Sequence, residues 1–285
     1  MSGPTPQPRR RRHARFIFAG LVLVHLGALG AYSLYQWQAR AVALYLDARA
    51  AWRDGHLDVA AEEFSAFVAL RPRATWPLVL YKNFPSAADG AFALGRVEAE
   101  RHHVDAALAS LRMAMRLQPG HGRREYRDLL LESGRGAELA AFARAELAAD
   151  PSSANAAKDL GAALLASGDP AGAVAAYNQA LRLLPAWLAR HDPGYRGGLS
   201  GEEAALLNLR SVAERLASDP ARSAATCDGL VARTPPRLRL DRLCRAYVQA
   251  DAGDPTGSRE ALAAYLPPNP EEEALVTALR ARLDR

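Results

Sequence analysis

An all-α chain of repeated helix–turn–helix units, preceded by one apolar helix, is the architecture that this sequence predicts. Three observations carry it. Small residues and turn formers recur in register from about Ala41 to the C-terminus. A proline closes each copy at a constant distance from its turn. Ahead of them, Phe16 to Trp37 holds no charged residue.

The N-terminal element comes first. Arg9, Arg10, Arg11, Arg12 and Arg15 stand in the first fifteen residues, with no acidic residue among them. At about 1.5 Å per residue, a helix over 16–37 is long enough for a hydrocarbon core of about 30 Å. Tyr32, Tyr35 and Trp37 gather at its far end, the level at which amphipathic rings sit. The positive-inside rule then keeps residues 1–15 cytoplasmic and translocates residues 38–285. The expectation is a single-pass signal-anchor in a bacterial inner membrane with a periplasmic body. A cleaved signal peptide is the competing reading, since Ala28-Leu29-Gly30 offers a small-residue site; the apolar run continues past it.

The repeats follow. In the copy from Ala154 to Pro185, Gly161, Ala173 and Ala180 let two helices approach, with Leu164 and Tyr177 between them. Gly168-Asp169 makes the turn and Pro185 is expected to stop the second helix. The same register gives copies at 41–72, 88–119, 120–151, 204–235 and 239–270. Their turns fall at Gly55, His102, Gly134, Ser218 and Gly253, and their closing prolines are Pro72, Pro119, Pro151, Pro235 and Pro270. Every proline stands 17 residues after its turn. His102 takes a place where glycine is expected, and Leu139 a place where a small residue is expected. Two segments interrupt the array: 73–87, with Trp76 and Tyr81, and 186–203, with His191-Asp192-Pro193-Gly194. They read either as recognition loops or as slack between units. Residues 271–285 read as a capping helix, with Glu271, Glu272 and Glu273 suited to its start and Leu275, Leu279 and Leu283 forming one stripe.

This pattern resembles the tetratricopeptide repeat, a helical hairpin of about 34 residues. The resemblance implies a non-catalytic scaffold whose first helices line a partner-binding surface. Carried onto this sequence, that surface takes Tyr45, Arg49, Trp52 and Arg53 from the first copy and Phe92, Arg96 and Glu100 from the second. It takes Arg124 and Asp128 from the third, Asn155 and Lys158 from the fourth, Asn208 and Arg215 from the fifth. Arginines beside Tyr45, Trp52 and Phe92 suit a partner carboxylate with an apolar neighbour; an ordinary solvated helix face carries arginines too.

Charge and chemistry narrow the rest. The formal net charge of +5 equals the five arginines ahead of the apolar segment, so the remainder is formally neutral. It lacks the basic field that nucleic acid requires. No phosphate loop, His-Glu-x-x-His, Gly-x-Ser-x-Gly or Cys-x-x-Cys occurs. No enzyme activity, cofactor, metal site or small-molecule substrate is therefore expected. Cys227 and Cys244 fall on neighbouring helices of the register, suited either to a disulfide in an oxidising compartment or to two small buried side chains. One span followed by repeats is similar in architecture to the ancillary subunit of the bacterial secretory translocon and to the apocytochrome-holding subunit of cytochrome c maturation. The expected role is an adaptor for protein partners in envelope assembly, secretion or maturation of periplasmic proteins. The alternative is a non-catalytic subunit of an envelope enzyme complex, in polysaccharide synthesis or a periplasmic dehydrogenase system.

Overall fold

The computed structural model describes residues 9–70, 85–191, 200–234, 241–263, 265, 267 and 270–284, with backbone alone for 9–22, 191, 270 and 271. Every regular element among them is a helix. The interruption at 73–87 lies outside the described residues as far as residue 84, as does that at 186–203 over 192–199. The chain divides into two compact units, 1–123 and 124–285.

The first unit holds α1 (Arg9–Arg53), α2 (Leu57–Ala69), α3 (Ala87–Glu100) and α4 (Val104–Leu117). The second holds α5 (Arg123–Glu132, all but its first residue), α6 (Gly136–Ala149), α7 (Ala154–Ala166), α8 (Pro170–His191), α9 (Gly201–Leu216), α10 (Pro220–Arg233), α11 (Arg242–Asp251), α12 (Pro255–Ala263) and α13 (Pro270–Leu283). The first twelve pair in order as six hairpins.

One device makes all six turns. Gly55, His102, Gly134, Gly168, Ser218 and Gly253 each have φ between 61° and 79°, the left-handed conformation that ends a helix and reverses the chain. At each, the next residue's N–H reaches back five positions: His56 to the Ala51 carbonyl at 2.8 Å, Asp169 to Leu164 at 2.8 Å, Asp254 to Gln249 at 2.9 Å. These bonds satisfy carbonyls that a helix end leaves open. His102 and Ser218 adopt the conformation without being glycine, so the hydrogen-bonded frame, and not the residue type, holds the turn.

Close approach within the hairpins comes from glycine at one register position. A β-carbon on Gly161 would lie 2.5 Å from the Tyr177 ring, and one on Gly95 would lie 2.7 Å from Leu111. Both side chains they face are buried. In the first unit Ala48, Ala60, Phe64 and Val97 form a core shared by α1, α2 and α3. In the second, Tyr177, Ala180, Leu184 and Leu188 of α8 pack with Leu206 and Leu209 of α9. Leu139, at the place expected for a small residue, is wholly buried.

One expectation is corrected. Pro185 does not stop its helix: α8 continues through it to His191. Proline removes one backbone bond, but Leu184 and Leu188 are both buried against α9, and that burial carries the helix onward. Residues 186–191 are therefore helix, and α9 begins three residues earlier than the register gave, where Ser200 accepts the Glu203 N–H at 3.0 Å. At the C-terminal end, Val276 and Leu279 of α13 are buried in a core with side chains of α9, α11 and α12.

At the N-terminus α1 runs unbroken from Arg9 to Arg53, so the expected span and the first helix of the first repeat are one element. Leu23, Val24, Leu26, Leu29 and Tyr32 each leave 60 % or more of their surface uncovered. Among the described residues no helix is long and apolar enough to cross a membrane. The side chains of Phe16 to Val22, the most apolar part of the expected span, lie outside those residues.

Candidate partner-binding surface

In the first unit, helical spacing places Tyr45, Arg49, Trp52 and Arg53 on one side of α1, and Phe92, Arg96 and Glu100 on one side of α3. The two sides meet. The Trp52 indole donates to Glu100 Oε2 at 2.7 Å, and the Arg96 guanidinium lies over the Trp52 ring, 4.8 Å from its centroid. The result is an aromatic floor with an arginine above it and a carboxylate at its edge. Cation and ring in this geometry contribute about 0.5–1 kcal/mol at an exposed site.

The aromatic residues differ in what they leave available. Tyr45 packs inward, its ring 5.1 Å from Phe67 and 5.6 Å from Phe64. Burial pushes its hydroxyl above the ordinary range, Asp89 adds to the rise, and Arg49 opposes it. Tyr45 therefore supports the surface from below. Phe92 stacks on His121, 4.8 Å between centroids, and His121 lies 3.5 Å from Asp89. That contact was not legible in the sequence, because His121 belongs to the turn after α4. The signal was Gly120 and Gly122, both at positive φ; a β-carbon on Gly122 would come within 3.1 Å of Phe92.

Arg49, Arg53 and Arg96 are exposed. Arg53 has a loose contact with Asp54 at 3.8 Å, both side chains largely in water, and such pairs contribute little. This face thus presents three exposed arginines, one of them over the Trp52 indole, which suits a carboxylate beside an apolar side chain.

The remaining expected residues belong to the second unit, where Arg124, Asp128, Lys158, Asn208 and Arg215 are engaged. Arg124 lies 3.6 Å from Asp128, and Lys158 is 2.9 Å from Glu202. Asn208 is buried, its amide donating to the Ala204 carbonyl while its oxygen accepts the Cys244 N–H at 3.1 Å. Arg215 pairs with Asp251 and lies over Tyr247. Across the corresponding helix face of this unit lies α13, with Glu272, Val276 and Leu279 buried beneath it.

Cys227 and Cys244 are joined as a disulfide between α10 and α11, with Cα atoms 5.6 Å apart. Leu230, Ala204 and Leu207 pack around it. With a separation of 17 residues, loop-closure entropy gives it a stabilising effect of about 3 kcal/mol. Replacing both cysteines by alanine is expected to lower the denaturation midpoint accordingly. Reductant should do the same to the natural chain and nothing to the double variant.

Among the described residues no group of three His, Cys, Asp or Glu side chains comes together to hold a metal ion. No protein-family profile matches the chain, and no curated protein does. Solved structures share its helical architecture at low identity. A tetratricopeptide repeat protein from Parabacteroides merdae is 12% identical, covering 87% of this chain and 100% of its own, with a TM-score of 0.40. MamA from Desulfovibrio magneticus is 16% identical over 68% of this chain and 94% of its own, TM-score 0.45. PilF from Pseudomonas aeruginosa is 13% identical over 85% and 99%, TM-score 0.46.

Proposed function

We propose that this chain is a membrane-anchored scaffold that receives protein partners on the α1–α3 face of its first unit. The observation that carries the reading is α1 itself. It is one helix in which a run of uncovered large apolar side chains leads without interruption into the first repeat. Such a surface calls for a cover, and a bilayer over about residues 16–37 supplies one, with the five N-terminal arginines on the cytoplasmic side. The disulfide supports the remainder of the chain lying in an oxidising compartment such as the periplasm. Partners in envelope assembly, secretion or maturation of periplasmic proteins are the class that this placement favours.

A reporter active only in the periplasm, fused after Arg285, is expected to be active; an inactive reporter on intact membrane-bound protein reverses the orientation. A photocrosslinker at Arg49 or Arg96 in cells should capture a defined partner. Arg49→Glu with Arg96→Glu should then weaken capture about tenfold or more, since a charge-assisted hydrogen bond contributes about 1.5–3 kcal/mol. Unchanged capture by the reversed variant moves recognition away from this face.

A further inference from the structure

The second unit already holds a ligand, and it is part of the chain. Helix α13 presents Glu272, Leu275, Val276, Leu279 and Leu283 inward, at offsets of 0, 3, 4, 7 and 11, the spacing of one helical stripe. Glu272, Val276 and Leu279 are each 2 % exposed or less. The outer positions Glu273, Ala274, Thr277, Ala278, Arg280 and Ala281 are exposed.

The receiving side chains come from α9, α11 and α12. Val276 and Leu279 pack among Val212 of α9, Leu243 and Tyr247 of α11, and Leu262 of α12. Leu275 also reaches the core around Leu206 and Leu209 of α9. Tyr247 donates its hydroxyl to the Leu275 carbonyl at 2.9 Å. Near the finish Asp251 of α11 accepts from Arg282 at 2.9 Å. A helix that only closed the last hairpin would lie along α11 and α12. This one also reaches α9, in the preceding hairpin, and is joined through a sequence with Pro267, Pro268 and Pro270, which separates it from α12 as an independent helix.

We propose that α13 is a displaceable occupant of this groove, and that its release admits an amphipathic helix of a partner protein. That helix carries apolar side chains at relative positions 0, +1, +4 and +8, and a basic residue near its end. The proposal rests on the scaffold reading, and adds that the second unit is closed until α13 leaves. The apolar stripe meets Val212, Leu243 and Tyr247, and the basic end meets Asp251. Helix-in-groove recognition reads this spacing of anchors.

Hydrogen exchange on the full natural chain tests the latch. The amides of α13 should exchange about tenfold or more faster than those of α9 and α11, as a unit that opens by itself. Exchange of α13 at the rate of α9 makes it part of the core and overturns the proposal. A fluorescent peptide of residues 270–285 tests the groove, added to the full chain carrying Val276→Asp and Leu279→Asp. It should bind that variant about tenfold or more tighter than the natural chain, whose groove is filled. Equal binding to both, or none to a variant that keeps its helical circular dichroism and its disulfide, overturns the proposal. Unfolding of the variant overturns it too, by showing α13 to be required for the fold. Crosslinking from Arg49 or Arg96 reads the other unit, so either reading can fail alone.

Discussion

Gly161→Leu is expected to destabilise the second unit by about 3 kcal/mol, at the upper end of what overpacking a filled core costs. The site has nowhere to yield. A β-carbon there falls 2.5, 2.6 and 2.9 Å from three atoms of the Tyr177 ring. Tyr177 is itself fully buried, in the same core as Leu184, Leu188 and Leu206. Moving the ring therefore moves α8 against α9. The check is a denaturant midpoint, which should fall while the slope of the transition stays the same. Gly229, also mid-helix, is the control. A β-carbon there meets nothing within 4 Å, so Gly229→Ala should stabilise by about 0.5–1 kcal/mol through helix propensity alone. A similar loss at both positions contradicts the packing argument.

A second large effect should appear on raising the pH. Burial pushes the Glu272 carboxyl up to about 7, with Arg127 opposing the rise. The arginine is a weak counterweight because it is shared: it lies 2.6 Å from Asp128 and 3.9 Å from Asp159. A carboxyl raised in the folded state binds a proton there more tightly than in the unfolded chain. Its stabilising contribution is therefore complete below about pH 4.5 and is lost as pH rises through about 7. The total is about 3 kcal/mol, at 1.36 kcal/mol per unit. Glu132 is shifted in the same direction by burial and by Asp128 and Glu273, and being exposed adds little. Asp251 is held down by Arg215 and Arg282 against its burial, and loses its contribution only in acid, outside this window. Denaturation midpoints between pH 5 and 8 should thus fall for the natural chain and stay nearly level for Glu272→Gln. A variant with the same slope as the natural chain would place the titration on another group.

Much of the fold was legible because its repeating unit is short and its punctuation is chemical. Glycine and proline in fixed register located all six turns, including those at His102 and Ser218, where the register alone stood in for the missing glycine. Gly161 and Tyr177 were readable as a pair for the same reason. What the sequence hid depended on distant contacts. Pro185 looks like a stop signal until Leu184 and Leu188 are seen buried against α9. Residues 271–285 look like a terminal cap, because a stripe of leucines does not say which helices it will meet. Glu272 read as a favourable charge at a helix start, and it is instead a buried carboxyl. The candidate surface was half visible: spacing put Trp52 and Arg96 on facing helices, while the role of Tyr45 as a support depends on Phe64 and Phe67 of α2, and that of His121 as a neighbour of Phe92 on the turn after α4.

The unbroken course of α1 has a mechanical consequence. Forty-five residues of helix make a rod of about 68 Å. A flexible linker of twenty residues would let a tethered domain wander over about 25 Å and tumble freely. Here no such linker separates the apolar stretch from Tyr45, Arg49 and Trp52; the same rod carries both. On the anchored reading proposed above, the rod would set the height of the first unit over the bilayer while leaving it free to turn about the membrane normal. A partner in that membrane would then meet the α1–α3 face at one distance, so that reach as well as affinity selects who can bind it.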